Sequence, residues 1–272
     1  MQAVEQKTDP LFRVAVIAKT PNPQQLVWIS AHQCVCEGAA IDDAVPSEED
    51  AGIYAVKHLL AGDRGHWSPL EAPQISFNVI GFNHRTMQQI TRHRIGVHFS
   101  VQSLRYTSER FVEVAAIIQQ AFDKREKLAD EQLGRAVFEN KHVQEAIEQV
   151  IYLRPEGEYS DRAGHKYYYD AAERMSDLTV CASSIIRYAN KLEEGYSEEH
   201  AAGLLPMDCR QHWVMSANVR SLCHILDLRW KGDAQIEAQR LCDLMFPHFK
   251  EWVPAIAAYY EKARAKKARL SP

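Results

Sequence analysis

The stretch "TRHRIGVHFSVQSLRYTSER", residues 91–110, gathers Arg92, His93, Arg94, Arg105 and Arg110 around Ser103 and Tyr106, and its first carboxylate is Glu109. Adjacent like charges repel, and desolvating them costs more. An Arg-His-Arg run therefore either lies in solvent or meets an anion. Ser103, Arg105 and Tyr106 add a hydroxyl, a planar fork and a phenol within four residues. That mixture suits a nucleotide phosphate and a planar ring. "HWSPLE", His66 to Glu71, lies just before the run that leads into this segment.

A second constellation is "DCRQHWVMSANVRSLCHILDLRW", residues 208–230. Asp208 and Gln211 predict a helix start of capping-box type. On that helix Asn218 and Arg229 are eleven residues apart, within roughly 20° of one face. Arg220 and His224 form an i, i+4 pair on a different face. Polar groups that such a helix buries need partners. A helix with one wet side would carry the same pattern.

These groups need elements to place them. "FRVAVIA" near 12–18 reads as a strand, and "NPQQLVWISAHQCV" has helical spacing with Pro near its first turn. "SEEDAGIYAVKHLLAG" starts on Ser47 and Asp50 as a capping box and stops near Gly62. "PQISFNVIGF" alternates as a strand with one buried face, and "HRTMQQITRHR" follows as a short helix. "RFVEVA" is expected to be extended. The region from about 117 to 195 reads as mostly helical, with a hairpin-like piece, "EGEYSDRAGHKYYYD". From Ser197 onward the expectation is helix after helix, with the basic tail "EKARAKKARL" as a solvated helix end. Strands in front and helices behind, without repeat or linker, predict an α+β fold in one domain over 1–272.

Composition narrows the function. The chain has 272 residues, 46% hydrophobic and 25% charged, with a net charge of -4. It reads as an ordinary globular protein in which any anion site is local, which argues against a nucleic-acid binder. No signal peptide or membrane span is expected. Six scattered cysteines, with C-x-C at Cys34 and Cys36, read as reduced thiols of a cytoplasmic protein. The simplest reading of that C-x-C is two half-buried thiols. No C-x-x-C or H-E-x-x-H pattern occurs, and an arginine beside His93 repels a cation, so no metal is expected.

The motifs together resemble the flavin-dependent thymidylate synthases. Their hallmark is R-H-R, a seven-residue gap, then Ser, usually continuing to R-Y. Here Arg92-His93-Arg94 is followed by "IGVHFSVQ" and then Ser103, Leu104, Arg105 and Tyr106. "HWSPLE" is similar to the family's H-x-[ST]-P-x-E, Gln89 stands three residues before the R-H-R, and "SANVRSLCHILDLR" resembles its N-x-R-S-L…L-R helix. The resemblance implies an α+β fold, a small antiparallel-rich sheet with several long helices, assembled as a homotetramer with active sites built between subunits. It implies conversion of dUMP to dTMP, with 5,10-methylenetetrahydrofolate giving the carbon and FAD, reduced by NADPH, giving the hydride. By the same resemblance Ser68, Glu71, Arg92, His93, Arg94, Asn218, Arg220 and His224 would hold FAD. Gln89, Arg92, Ser103, Leu104, Arg105 and Tyr106 would hold dUMP, and Arg229 would sit against the uracil. An always-charged guanidinium suits that place, because drawing electron density toward O2, O4 and N3 makes an enolate-like ring that can attack an iminium carbon. Ser103 reads as a binding hydroxyl, since no His is placed to activate it.

The chain departs from the pattern at four points. The gap to Ser103 is eight residues, Val101 stands where an acid or amide is common, Ala72 replaces a His, and Ala202 replaces a dUMP-binding arginine. Arg210, one helical turn beyond Pro206, is the expected substitute. These departures leave one other class open, a degenerate relative that binds flavin or nucleotide without turnover.

Overall fold

A computed structural model describes residues 8–121, 130–161 and 163–267. In chain order the elements are β1 (Arg13–Lys19), α1 (Pro23–His32), α2 (Glu48–Ala55), β2 (Gln74–Asn83), α3 (His84–Ile90), β3 (Val97–Val101), α4 (Glu109–Gln120), α5 (Asp130–Glu139), α6 (Lys141–Val150), β4 (Gly157–Ser160), β5 (Lys166–Tyr169), α7 (Ala171–Glu193), α8 (Glu198–Ala202), β6 (Arg210–Asn218), α9 (Val219–Arg229), α10 (Ile236–Trp252) and α11 (Pro254–Ala263). The fold is α+β. Two compact units share the chain: residues 1–11, 81–87 and 101–212 form one, and residues 12–80, 88–100 and 213–272 the other.

The second unit holds most of a four-stranded sheet in the order β1-β2-β6-β3, with β1 and β2 antiparallel. Strand β2 buries Ile75, Phe77 and Val79 and leaves Ser76 and Asn78 half-buried, which is the alternation its sequence carries. Those side chains belong to a core that includes Val27, Leu70, Leu222, Ile225, Met245, Phe249 and Tyr260. Helix α1 begins at Pro23, and its free N-terminal amides of Gln24 and Gln25 donate to the Glu48 carboxylate at 2.8 Å each. Ser47 caps α2 as expected, accepting from the Asp50 amide at 3.1 Å.

The first unit is helical, with β4 and β5 as an antiparallel hairpin. Its core packs Phe111, Val114, Ile118, Val143, Ile147, Leu178, Ile185 and Tyr188. "RFVEVA" is helix α4, not a strand. Phe111, Val114, Ala115 and Ile118 are buried at the helical spacing i, i+3, i+4, i+7, and a six-residue window was too short to separate that from alternation. The second correction is larger. No helix starts at Asp208; residues 210–218 form β6, buried in near-alternation, and the helix begins only at Val219. Arg210 accordingly starts a strand. Residues 268–270 of the basic tail, and Arg162 within the hairpin, lie outside the described residues. Among the described residues no helix is long and apolar enough to cross a membrane.

Candidate functional site

Helix α9 is the organising element of the second unit. Its N-cap is Asn218, whose side-chain oxygen accepts from the Ser221 amide at 2.7 Å. The Ser221 hydroxyl donates to the Ile95 carbonyl at 2.8 Å, and the Asn218 amide donates to the Gly96 carbonyl at 3.2 Å. These bonds tie the residues just after Arg92-His93-Arg94 to the start of α9. Gly96 has φ +65°, and a Cβ there would lie 2.3 Å from Asn218 Nδ2 and 2.4 Å from Ser221 Oγ. Both the backbone conformation and the close approach demand glycine.

At its other end α9 delivers Arg229. Its Nε donates to His93 Nε2 at 3.1 Å and its Nη1 to the Gln89 side-chain oxygen at 2.8 Å. His93 is buried, 6% exposed. Because Nε2 accepts, the ring is neutral with its proton on Nδ1. Burial, then the charges of Arg229, His224 and Arg92, push its pKa down to about 4. The His224 ring meets it edge-on at 5.1 Å and is also pushed down, chiefly by burial. Arg229 itself is lowered by burial and by Arg92. On its packed side α9 is held by Asp227, which is buried, accepts from Tyr260 Oη at 3.0 Å and pairs with Arg264 Nη2 at 2.6 Å.

These groups surround a cavity of about 670 Å³ lined by Glu71, the Arg92–Ile95 run, Val97, Arg220, Ser221, His224, Leu228 and Arg229. Four arginines and one carboxylate therefore face one space. Glu71 engages Arg220 at 2.6 Å, while Arg92 and Arg94 have no acidic partner among the described residues. A cavity of this size with two surplus cations, Arg92 and Arg94, both exposed, suits an anion that carries planar rings.

The expected residues fall out as follows. Glu71, Arg92, His93, Arg94, Arg220, His224 and Arg229 share the cavity. Gln89 reaches it through Arg229. Ser68 opens the turn that ends at Glu71 and is exposed. The expected separation of Arg220 and His224 from Arg229 does not hold: the spacing 220, 221, 224, 228 makes one face, and the long Arg229 side chain reaches the same space. Asn218 serves as the N-cap. Gly96 and Ser221 were missed, although a glycine two residues after the cation run and Asn-x-x-Ser before an apolar helix were visible signals.

Ser103, Leu104, Arg105 and Tyr106 belong to the first unit, in the turn between β3 and α4. The turn is locally bonded: Ser103 Oγ accepts from the Arg105 amide at 3.3 Å, and Ser103 O accepts from the Tyr106 amide and the Thr107 hydroxyl at 3.1 and 2.9 Å. Leu104 packs on that unit's core. Arg105 pairs with Glu199 at 2.7 Å, both more than half exposed, and Tyr106 is 82% exposed. Arg110, from the same stretch, is different: burial lowers its pKa, and its Nε and Nη2 have no hydrogen-bond partner among the described residues.

Arg210 does not stand where a substitute for the missing arginine would. It is 3% exposed, and it donates to Asp9 Oδ2, the Glu148 carbonyl and the Gly81 carbonyl, each at 2.8 Å. That makes it a structural tie within its unit. The buried cysteines are no better placed for attack: burial raises the thiols of Cys209, Cys223 and Cys242, and that of Cys181 to about 12.

The sequence model of the family described as thymidylate synthase complementing protein matches residues 15–255. A flavin-dependent thymidylate synthase of Haloarcula marismortui is 30% identical, with 95% of this chain and 99% of that protein aligned. Another from Halobacterium salinarum is 26% identical over 96% of this chain and 100% of that protein. Among solved structures, thymidylate synthase X from Helicobacter pylori with FAD and dUMP superposes with a TM-score of 0.61 at 19% identity, covering 86% of this chain and 92% of that one. A UMP/dUMP methylase, PolB from Streptomyces cacaoi, bound with 5-Br dUMP, gives 0.66 at 17% identity over 99% and 100%. At such identities the two structures speak for the fold.

Proposed function

The chain belongs to the thymidylate synthase complementing protein family, the flavin-dependent thymidylate synthases, and from that premise we infer how its residues divide the work. Its activity is flavin-dependent thymidylate synthesis, the methylation of dUMP to dTMP. We assign FAD to the α9 cavity, held by Arg92, His93, Arg94, Arg220 and His224, with Ser68, Glu71 and Asn218 at its edge. The observation that carries this is the charge count: four arginines face one carboxylate, and Arg92 and Arg94 are left for a ligand. The donor set fits an anionic dinucleotide, since guanidinium forks match phosphate oxygens. When bound, FAD reduced by NADPH supplies the hydride for the carbon that 5,10-methylenetetrahydrofolate provides.

The chain's own residues supply position and charge. Arg229 is aimed by His93 and Gln89. Against a uracil carbonyl its fixed positive charge would stabilise an enolate-like ring, whose negative charge is shared between oxygen and C5, so that C5 can act as the nucleophile. A neutral His93 suits this geometry, because its free Nε2 lone pair holds Arg229 without adding a further cation. Gln89, Arg92, Ser103, Leu104, Arg105 and Tyr106 form the proposed nucleotide set. Arg210 is left out of it, because its nitrogens are used inside its own unit. A single family domain over 1–272, a homotetramer with active sites between subunits, and a cytoplasmic location complete the proposal.

The test is the absorbance spectrum of the purified chain, before and after anaerobic NADPH with and without dUMP, followed by tritium release from C5-labelled dUMP. Flavin bands that bleach faster with dUMP, together with release, are expected. C5-labelled UMP as a parallel arm reports whether a ribose is accepted. A protein that cannot be reconstituted with FAD would overturn the cavity assignment. A yellow protein that releases no tritium would return the chain to the flavin binders without turnover.

A further inference from the structure

The Cys34-x-Cys36 pair does not line the α9 cavity, and the structure gives one of the two a setting of its own. Sγ of Cys36, Nε2 of His32 and a carboxylate oxygen of Asp43 all lie within 4.8 Å of one another. We propose that His32, Cys36 and Asp43 form a surface site for a borderline divalent cation of the zinc type, which clips the loop after α1 onto the end of that helix.

The site is prepared by its surroundings. His32 is the last residue of α1, and its ring is stacked on Trp28 at 4.5 Å and 18°. The Cys36 amide donates to the His32 carbonyl at 3.0 Å, which holds the thiol one helical turn from the imidazole. Gln33 folds the rest of the loop. Its amide nitrogen donates to the Gly38 carbonyl at 3.1 Å and contacts Cys36 Sγ at 3.6 Å, while its oxygen accepts from the Ala40 amide at 3.0 Å. Asp43 follows the short turn Ala40–Asp42 and meets His32 Nε2 at 2.6 Å. Three donors from three successive pieces of chain thus converge on one point.

The donor chemistry selects the ion. One thiolate, one imidazole and one carboxylate suit zinc and disfavour the hard cations magnesium and calcium, which take oxygen ligands. Two ligands on a tetrahedral zinc lie about 3.3 Å apart, given metal–ligand distances of about 2.0–2.2 Å. The present His32–Asp43 contact of 2.6 Å is shorter, so the carboxylate must swing outward; it is more than half exposed and has the room. Binding releases the Cys36 proton to solvent and leaves a fourth position for water. Cys34 is not a member: it is exposed, and its Sγ contacts the Ser30 carbonyl at 3.4 Å. The trio reads H-x3-C-x6-D, a spacing that neither C-x-x-C nor H-E-x-x-H covers.

The experiment uses the full chain, stripped with a chelator and titrated with Co2+ and then Zn2+. One equivalent of Co2+ should give a thiolate charge-transfer band that Zn2+ removes, and Zn2+ should raise the apparent melting temperature by mass action. Cys36→Ser should abolish the band and the shift. His32→Ala and Asp43→Asn should weaken Zn2+ binding by roughly 10- to 100-fold or more, at least the loss expected from an outer-shell partner. Cys34→Ser should change neither readout, and flavin content serves as the check that each variant is folded. No band in the wild type, or a band that survives Cys36→Ser, overturns the proposal and leaves the trio as a hydrogen-bonded surface cluster.

Discussion

Arg229 and Arg105 are both expected to meet the nucleotide, yet they are held in opposite ways. Arg229 is half-buried, with its Nε and Nη1 placed by His93 and Gln89. Behind it stand the Asn218 cap, the Gly96 contact and the buried Asp227–Arg264 pair. Arg105 sits in an exposed turn, tied to Glu199 by a pair that both water and salt can loosen. The Arg229 side chain has therefore met its ordering cost during folding. The exposed Arg105 side chain meets more of that cost when ligand arrives. Residues that act on developing charge benefit from being fixed beforehand, and residues that admit and release a substrate do not need it.

The comparison can be broken by substitution, and the largest expected effect comes from an arginine that belongs to neither group. Arg210→Ala strips the half-buried Asp9 carboxylate and two carbonyls of a donor that is itself buried. Breaking a buried pair on one side costs about 3–5 kcal/mol. Urea denaturation should show a loss of that order, while the dUMP Michaelis constant of the surviving folded protein stays within a few-fold of wild type. A stable variant with a raised constant would restore Arg210 to the substrate. Next in size is Arg229→Ala, which removes fixed charge from the reacting ring. Tritium release at saturating FAD should fall roughly 10²- to 10³-fold, and a loss under tenfold would dismiss Arg229 from the chemistry.

Arg105→Ala sharpens the contrast. Its partner is exposed, so stability should move by less than about 0.5 kcal/mol. The dUMP Michaelis constant should rise tenfold to a hundredfold, the equivalent of about 1.5–3 kcal/mol for a lost charge-assisted contact. If stability falls and the constant does not, the turn is scaffold. Gly96→Ala tests the other side. A side chain at φ +65°, pressed on Asn218 and Ser221, should cost about 1–3 kcal/mol. FAD retention and denaturation midpoint should fall together, because the same contact fixes the cation run. Retention unchanged beside a lowered midpoint would uncouple the two.

Much of this was legible in the residues, for reasons that differ by element. Strand β2 announced itself because one face is buried, so hydrophobicity alternates along it. The capping box at Ser47 was readable because it is purely local. Strand β6 was not, since Arg210 and Gln211 at its start are polar yet buried, and the Arg210 guanidinium is satisfied by partners 62 to 201 residues away in sequence. The same cause hid the role of Arg210. The R-H-R and N-x-R-S-L motifs named most of the cavity's residues, but a linear reading could not tell that Gly96 presses on Asn218 and Ser221, nor which histidine is neutral.

That neutrality yields the smallest and most specific effect. His93 has its folded pKa depressed to about 4, against about 6.5 for an unperturbed histidine. The unfolded chain therefore binds the extra proton more readily through that window, and linkage makes stability fall as pH drops from about 6.5 toward 4. Below that range both states are protonated and His93 contributes no further slope. Other groups also titrate there, so the informative quantity is a difference. His93→Gln keeps an acceptor for Arg229 and cannot take up a proton. In the FAD-free protein, the denaturation free energies of wild type and variant should converge as the pH falls from 7 to 4, because only the wild type carries this term. Parallel curves would mean that His93 is not held neutral. An anion bound among Arg92, Arg94 and Arg229 would offset the charges that depress the imidazole and raise its folded pKa toward 6.5, so with FAD the His93-dependent fall should end at a higher pH and be smaller than in the FAD-free protein. A fall that ignores FAD would place the cofactor's charge away from His93, and with it the contrast between a fixed cavity and an adaptable turn would lose its chemical reason.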